Sequence, residues 1–254
     1  MIIVSYGGGT DSTALLGLLH QQGVRPDQIT FADTGDERPH TYQFIELVRE
    51  WCAKVGFPDI ETVRWVDRAG RTRVLSQDCF EQKTLPSAAF GFKGCSTKYK
   101  IQPQERRDRN DPRCKAIWGV GARVVKMIGY EAGEERRMRP SDDKYEYQYP
   151  LIDAGMDRTE CVKMIQHYML LPRPGKSACY HCPQQKLGEW AQLARDYPKL
   201  FAEACAMEAN AELTSIKGLG RRFSIRDLTP AQLAAPNPHE HDVDNDDMPC
   251  GCVD

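Results

Sequence analysis

Three consecutive glycines, Gly7, Gly8 and Gly9, lie between the apolar run Met1 to Val4 and the helix-forming stretch Ala14 to Leu19, and they constrain this chain more than any other feature. A strand that ends in such a loop and continues into a helix can line up successive backbone N–H groups around an anion, with the positive helix end behind them. Phosphate is the natural guest. Two familiar phosphate loops are excluded. The stretch closes with Thr10-Asp11-Ser12-Thr13 rather than with Lys followed by Ser or Thr, and its glycines are contiguous rather than spaced as dinucleotide binding requires.

The chain that follows reads as alternating helix and strand. Ile29 to Ala32 suits a second strand that ends in Asp33-Thr34-Gly35-Asp36. Residues 41–56 carry Phe44, Ile45, Leu47, Val48, Trp51 and Val55 at helical spacing, and Glu61 to Val66 suits a third strand. Strand, helix, strand at this spacing is a right-handed parallel crossover with both strand ends on the edge where ligands bind. Further along, 77–94 reads as a loop with a broken helix. Arg106 to Arg113, highly charged and containing Pro112, reads as a mobile surface segment. Val124 to Gly129 is the next expected strand, Tyr147 to Leu151 the last core strand, and Thr159 to Leu170 an amphipathic helix. From Leu187 onward apolar helical faces continue, interrupted near Pro198. The expected fold is α/β, a doubly wound parallel sheet of about five strands with a helical C-terminal extension. Its expected units are 1–170, which binds the nucleotide, 171–235, the extension, and 236–254, an acidic tail.

A length of 254 residues, with 41% hydrophobic and 28% charged, is that of an ordinary globular protein with a sizeable core. No apolar run approaches the roughly 20 residues of a membrane helix, and the first residues read as a buried strand rather than a signal, so a cytoplasmic location without membrane contact is expected. Ten cysteines are many for such a chain and point to metal binding or thiol chemistry. The net charge of −2 gives no general attraction to nucleic acid. It is unevenly spread, however: ten Lys or Arg against three acids from Lys93 to Lys126, and six acids without Lys or Arg from Asn237 to Asp254.

Cys95 with Lys98 and Lys100 sets a sulfur beside two flexible cations, which lowers a thiol pKa and attracts phosphate. Cys179-x-x-Cys182 lets two sulfurs face one metal ion or one cluster corner, and equally suits a redox dithiol. Cys250-Gly251-Cys252 in the tail is either a sulfur relay or an incidental pair. His239 and His241 are read as surface residues.

Gly8-Gly9-Thr10-Asp11-Ser12 matches GGxDS in the SGGxDS loop of the N-type ATP pyrophosphatases, the adenine nucleotide alpha hydrolase superfamily, which the chain resembles; Gly7 stands where the first Ser is usual. Asp33-Thr34-Gly35 followed by Pro39-His40-Thr41-Tyr42 resembles the phosphoadenylylsulfate (PAPS) reductase branch. Cys95 to Pro103 resembles its Cys-x-x-x-x-Lys-x-x-Pro block, especially in the DNA phosphorothioation sulfurtransferases. The resemblance implies a HUP-type, Rossmann-like sheet, with ATP held by Gly7, Gly8, Gly9, Thr10, Asp11, Ser12 and Thr13, and with Asp33, Asp36, Gly129, Glu134 and Arg137 around the nucleotide. Mg2+ is expected on Asp11 or Asp36. Cys95, Cys179 and Cys182 are expected to hold a 4Fe-4S cluster, or alternatively zinc, with a fourth ligand from Cys114, Cys161, Cys205 or the tail, or with one iron left open.

The activity this implies is adenylation of a substrate with release of pyrophosphate, then sulfur transfer to a nucleic acid or nucleotide from a sulfur donor protein, with Asp11, Lys98, Lys100, Cys250 and Cys252 as the reacting groups. Two alternatives stand beside it. One is a PAPS or adenylylsulfate reductase that forms sulfite; the other is a nucleotide-binding regulatory or defence module without turnover.

Overall fold

A computed structural model describes residues 1–234. Five strands form one all-parallel sheet: β1 (Ile2–Tyr6), β2 (Gln28–Ala32), β3 (Ile60–Val63), β4 (Val124–Ile128) and β5 (Tyr145–Gln148), in the order β3-β2-β1-β4-β5. The expected doubly wound sheet with a helical extension is what the chain adopts. Alternation within β1 explains how both faces are covered. Val4 and Tyr6 join the main core with α1 (Thr10–Gln21), α2 (Pro39–Val55) and later helices; Ile3 turns to the opposite face, where Cys114, Val124 and Tyr145 lie.

That second face is partly polar. α3 (Leu75–Glu81) is followed by one continuous helical run, α4 (Gly94–Ser96), the π-helical segment Thr97–Ile101 and α5 (Gln102–Asn110), then by α6 (Pro112–Gly119). From α5, Gln104 accepts from Ser5 at 2.7 Å, and buried Asp108 pairs with Lys126 at 3.2 Å and accepts from Tyr145 at 3.0 Å. Gln104 and Asp108 thus find their partners on the sheet, as burial of a charge requires.

Two local expectations are corrected. Arg106 to Arg113 is not a mobile surface segment but the junction of α5 and α6. Asp111 caps α6 by accepting from the Arg113 N–H at 2.8 Å, Pro112 takes the first turn, and Arg107 ties Asp111 to Glu61 of β3. Nor is the last strand at Tyr147 to Leu151: β5 ends at Gln148, and α7 (Pro150–Asp153) begins at the proline. The expected helix over Thr159 to Leu170 starts as α8 (Arg158–Lys163) and loosens into the π-helical segment Met164–Tyr168.

The C-terminal part, α9 (Leu187–Asp196), α10 (Pro198–Asn210) and α11 (Pro230–Leu233), does not fold apart from the rest. Trp190, Leu193, Ala204 and Met207 share one core with Leu75, Cys79, Leu85 and Tyr99, and Ala178, Cys179, Tyr180 and Cys182 belong to the same cluster. Buried Glu208 organises the chain end by accepting from the backbone of Leu219 (2.6 Å) and Ile225 (3.2 Å) and from the Ser224 hydroxyl. No helix among the described residues is long and apolar enough to cross a membrane.

Candidate nucleotide and thiol site

The glycine loop sits at the carboxyl end of β1. Gly8 has φ +74°, and a Cβ there would lie 3.1 Å from Thr41 Cγ2, so the backbone takes a left-handed turn hard against α2. Gly9 is the N-cap of α1. Thr13 donates to the Gly9 carbonyl at 2.8 Å and Ser12 does so at 3.3 Å. Those hydroxyls serve the helix, which leaves the N–H groups of its first turn as the donors an anion would meet. Position 7 lacks a side chain, but Ser177 reaches in from the C-terminal part and donates to the Gly7 carbonyl at 2.6 Å.

Asp11 lies in the first turn of α1, paired with Arg158 at 2.9 Å. Gly129, just after β4, packs on that turn: a Cβ would lie 2.8 Å from the backbone of Asp11 and Ser12. Glu134 and Arg137 pair at 2.8 Å nearby in sequence, with the guanidinium 4.2 Å above the Tyr130 ring, itself stacked on Tyr149. Glu131 also pairs with Arg158, at 3.0 Å. Burial, and then the neighbouring Asp11 charge, raises the Glu131 pKa to about 7. The ligand atoms of Asp11, Glu131 and Cys161 all lie within 4.8 Å of one another, a spacing that suits a metal ion; Arg158 supplies the positive charge there.

The Asp33 to Glu37 loop serves the cysteine turn. Asp33 accepts from Tyr42 at 2.8 Å and pairs with Arg64, which holds the loop in place. Asp36 accepts from the N–H and hydroxyl of Ser76, each at 2.7 Å, and meets His181 Nε2 at 3.0 Å; its carbonyl accepts from the Tyr180 N–H. The Asp36 carboxylate is thus engaged by Ser76 and by His181 of the cysteine turn. Cys179 forms a β-bridge with Glu37, and its sulfur lies 3.1 Å from the Thr34 hydroxyl. Burial pushes the Cys179 thiol up, reinforced by Glu37 and opposed by Lys100.

Cys95, Cys179 and Cys182 line one cavity of about 20 Å³, together with Thr34, His181 and Lys100. Cys114, Cys161 and Cys205 do not line it: Cys114 packs beneath the sheet and Cys161 beside Asp11, so neither is placed as a fourth ligand. Lys100 also lines a second small cavity with Ser5, Tyr6 and Gly7, under the glycine loop. One side chain thus faces both the loop and the thiols. Two residues along the same helical run, Lys98 points elsewhere, since such neighbours project about 200° apart. It lies 2.6 Å from Asp78 and 4.1 Å above Trp65, and with Cys95 lines an open cavity of about 640 Å³ rimmed by Phe90 and Phe92. Cys95, with Leu75 and Pro86, therefore lies between the outer cavity and the thiol cavity. Cys250 and Cys252 lie outside the described residues.

Arg158, Glu131 and Ser177 had no signal in the sequence, whereas Glu37 and His181 stand in or beside stretches already singled out, the DTG loop and the Cys-x-x-Cys turn. Those three are common residue types in ordinary local patterns, brought to the site by elements distant along the chain.

The sequence profile of the phosphoadenosine phosphosulfate reductase domain matches residues 1–127, half of the chain. The chain belongs to that family. The matched half of this PAPS reductase family member holds the glycine loop, Asp33 to Asp36, Cys95 and Lys100; it ends before Gly129 and the Cys179 turn. A curated relative is the uncharacterized nin region protein ORF290 of Escherichia phage lambda, 29% identical over an alignment 154 residues long that covers 54% of this chain and 50% of that protein. The chain spans about half the length of the curated relative it matches. Among solved structures, the U34-tRNA thiolase NcsA from Methanococcus maripaludis, with its 4Fe-4S cluster, is similar at 14% identity and a TM-score of 0.41, over 88% of this chain and 76% of that one.

Proposed function

We propose that this PAPS reductase-like protein binds ATP on Gly7 to Thr13, adenylates a substrate with loss of pyrophosphate, and transfers sulfur to it with displacement of AMP, the acceptor being a nucleic acid or nucleotide. The observation that carries this reading is Lys100, buried and shared by the cavity under the loop and the cavity of the three thiols. A nucleotide site and a thiol site joined by one ammonium suit a reaction in which activation and sulfur delivery occur on the same molecule.

The donor set fits a thiolate-bound centre. Cys95, Cys179 and Cys182 converge on one cavity, with Cys179 and Cys182 less than a tenth exposed, and soft thiolates select an iron–sulfur cluster or zinc. When bound, a cluster would supply a site for sulfide, whereas zinc would make the thiols structural. The chain's own residues do the rest. Backbone N–H groups of the α1 N-terminus hold the phosphates, Lys100 places positive charge between phosphate and thiols, and Asp11 would hold Mg2+, which would supply charge for the leaving pyrophosphate. The outer cavity gives a sulfur donor protein access to the Cys95 side. The basic run Lys93 to Lys126 supports a nucleic-acid acceptor.

The test is pyrophosphate release from ATP by anaerobically purified protein, with iron, acid-labile sulfide and zinc measured on the same sample. Iron with sulfide, and pyrophosphate release stimulated by single-stranded nucleic acid or nucleotides, supports the reading; stoichiometric zinc without iron removes the sulfur step. The family match favours a second reading, reduction of PAPS or adenylylsulfate. Sulfite formed from the sulfonucleotide without ATP would replace the first reading with the second.

A further inference from the structure

The sheet order reverses between β1 and β4, and ligands of such sheets gather where the carboxyl ends of those two strands part. Three charged groups from three elements meet there: Asp11 from the first turn of α1, Glu131 from the segment after β4, and Arg158 from the first residue of α8. Arg158 Nη1 lies 2.9 Å from Asp11 Oδ1, its Nη2 donates to Oδ2 at 3.4 Å, and its Nε lies 3.0 Å from Glu131 Oε2. The capping box of Asp157 and Glu160 fixes the helix start that carries the arginine. The Ala132 N–H donates to the Met156 carbonyl at 2.7 Å, which fastens the Glu131 segment to the turn before α8. One guanidinium therefore spans two carboxylates, beside the N–H groups of the glycine loop.

Two carboxylates against one arginine leave no positive charge to spare where ATP is to place its phosphates. Like charges at this range are costly unless a cation turns toward the newcomer. Arginine is suited to that exchange, because its fork of N–H donors fits phosphate as well as carboxylate. The side chain is 18% exposed, so a ligand in the crevice can reach it. We infer that Arg158 is the phosphate-binding cation of the glycine loop, held between Asp11 and Glu131 until a nucleotide's phosphates take it over. Glu131 is then the competitor that retains the arginine in the empty site, and Asp11, once released, is open to Mg2+. The inference rests on the reading of the loop as an ATP site; it makes Arg158 a binding and positioning residue.

The test is calorimetric affinity of the full chain for Mg-ATP and for a non-hydrolysable ATP analogue, in the wild type and in Arg158→Gln, Arg158→Lys and Glu131→Gln. Arg158→Gln weakens binding by about tenfold or more, and Arg158→Lys retains part of the affinity. Glu131→Gln tightens binding, because a neutral amide competes less well for the guanidinium. A merely structural pair would lose melting temperature in both variants and tighten in neither. Unchanged affinity in Arg158→Gln, weaker affinity in Glu131→Gln, or a wild type that binds no ATP would overturn the inference. A wild type that binds ATP but releases no pyrophosphate with any acceptor removes the sulfur-transfer reading and leaves the role of Arg158 standing.

Discussion

The Lys100 ammonium lies 3.5 Å from Oε1 of Glu37, a carboxylate with no solvent exposure, at the point where the glycine-loop cavity and the thiol cavity meet. Glu37 also carries the β-bridge to Cys179, so the charge pair and the cysteine turn share one residue. Taking away the cation strands charge in a dry interior, which costs about 3–5 kcal/mol when one partner of a buried pair is removed. Lys100→Ala should lower unfolding stability by that order and abolish pyrophosphate release. Lys100→Met combined with Glu37→Gln should regain stability but not activity, as read by denaturant melts beside a pyrophosphate assay; activity regained with stability would remove Lys100 from the chemistry.

Gly129 tests the packing of β4 on the glycine loop. Gly129→Ala sets a methyl 2.8 Å from backbone atoms of Asp11 and Ser12, which cannot swing aside as a side chain can. A loss of about 1–3 kcal/mol is expected, with weaker ATP binding. A variant with unchanged melting temperature and ATP affinity would show that the loop gives way freely.

Replacing Cys179 or Cys182 by Ser should remove bound iron or zinc. Cys95→Ser should do the same if Cys95 is a ligand. Cys205→Ser, on α10 and outside the thiol cavity, is the control and should retain the metal. Metal analysis of the four purified variants decides this, and full metal content in Cys179→Ser and Cys182→Ser would exclude the turn as a metal site.

Glu131 sets a pH dependence of known sign. Its pKa is raised to about 7 from an ordinary 4.5, with burial the largest cause. The folded protein therefore binds more proton than the unfolded chain between those values. The contribution to stability is complete below 4.5 and declines as pH rises toward 7. The Glu131 side chain is only 13% exposed, so solvent screens it little. Glu131→Gln should flatten melting temperature against pH across that window, and an unaltered slope would assign the titration to another group.

Much of the frame was legible because it is local. The triple glycine, the DTG turn and the apolar spacing of 41–56 each encode their own backbone, and together they specify parallel crossovers. The misreadings are also informative. Charge and Pro112 made 106–113 look unstructured, yet Pro112 and Asp111 are the start of α6, and Arg107 finds its partner on a strand more than forty residues earlier. Asp36 follows a strand end, and nothing local in the sequence names its partners. Its actual partners, Ser76 and His181, come from segments that no spacing in the sequence connects to it.

The sequence by itself determined most of the elements, the parallel crossovers and the residue types at hand: a phosphate loop, a basic stretch and a pair of cysteines two residues apart. These follow from backbone preference and short-range periodicity, which act within a few residues. Only the tertiary structure decided that Lys100 and not Lys98 faces both cavities, that Cys95 joins Cys179 and Cys182 while Cys114 and Cys161 do not, and that Arg158 closes over Asp11. The reason is physical. Which side chains meet depends on packing between elements far apart in the chain, and buried charges take the partners that the folded interior provides.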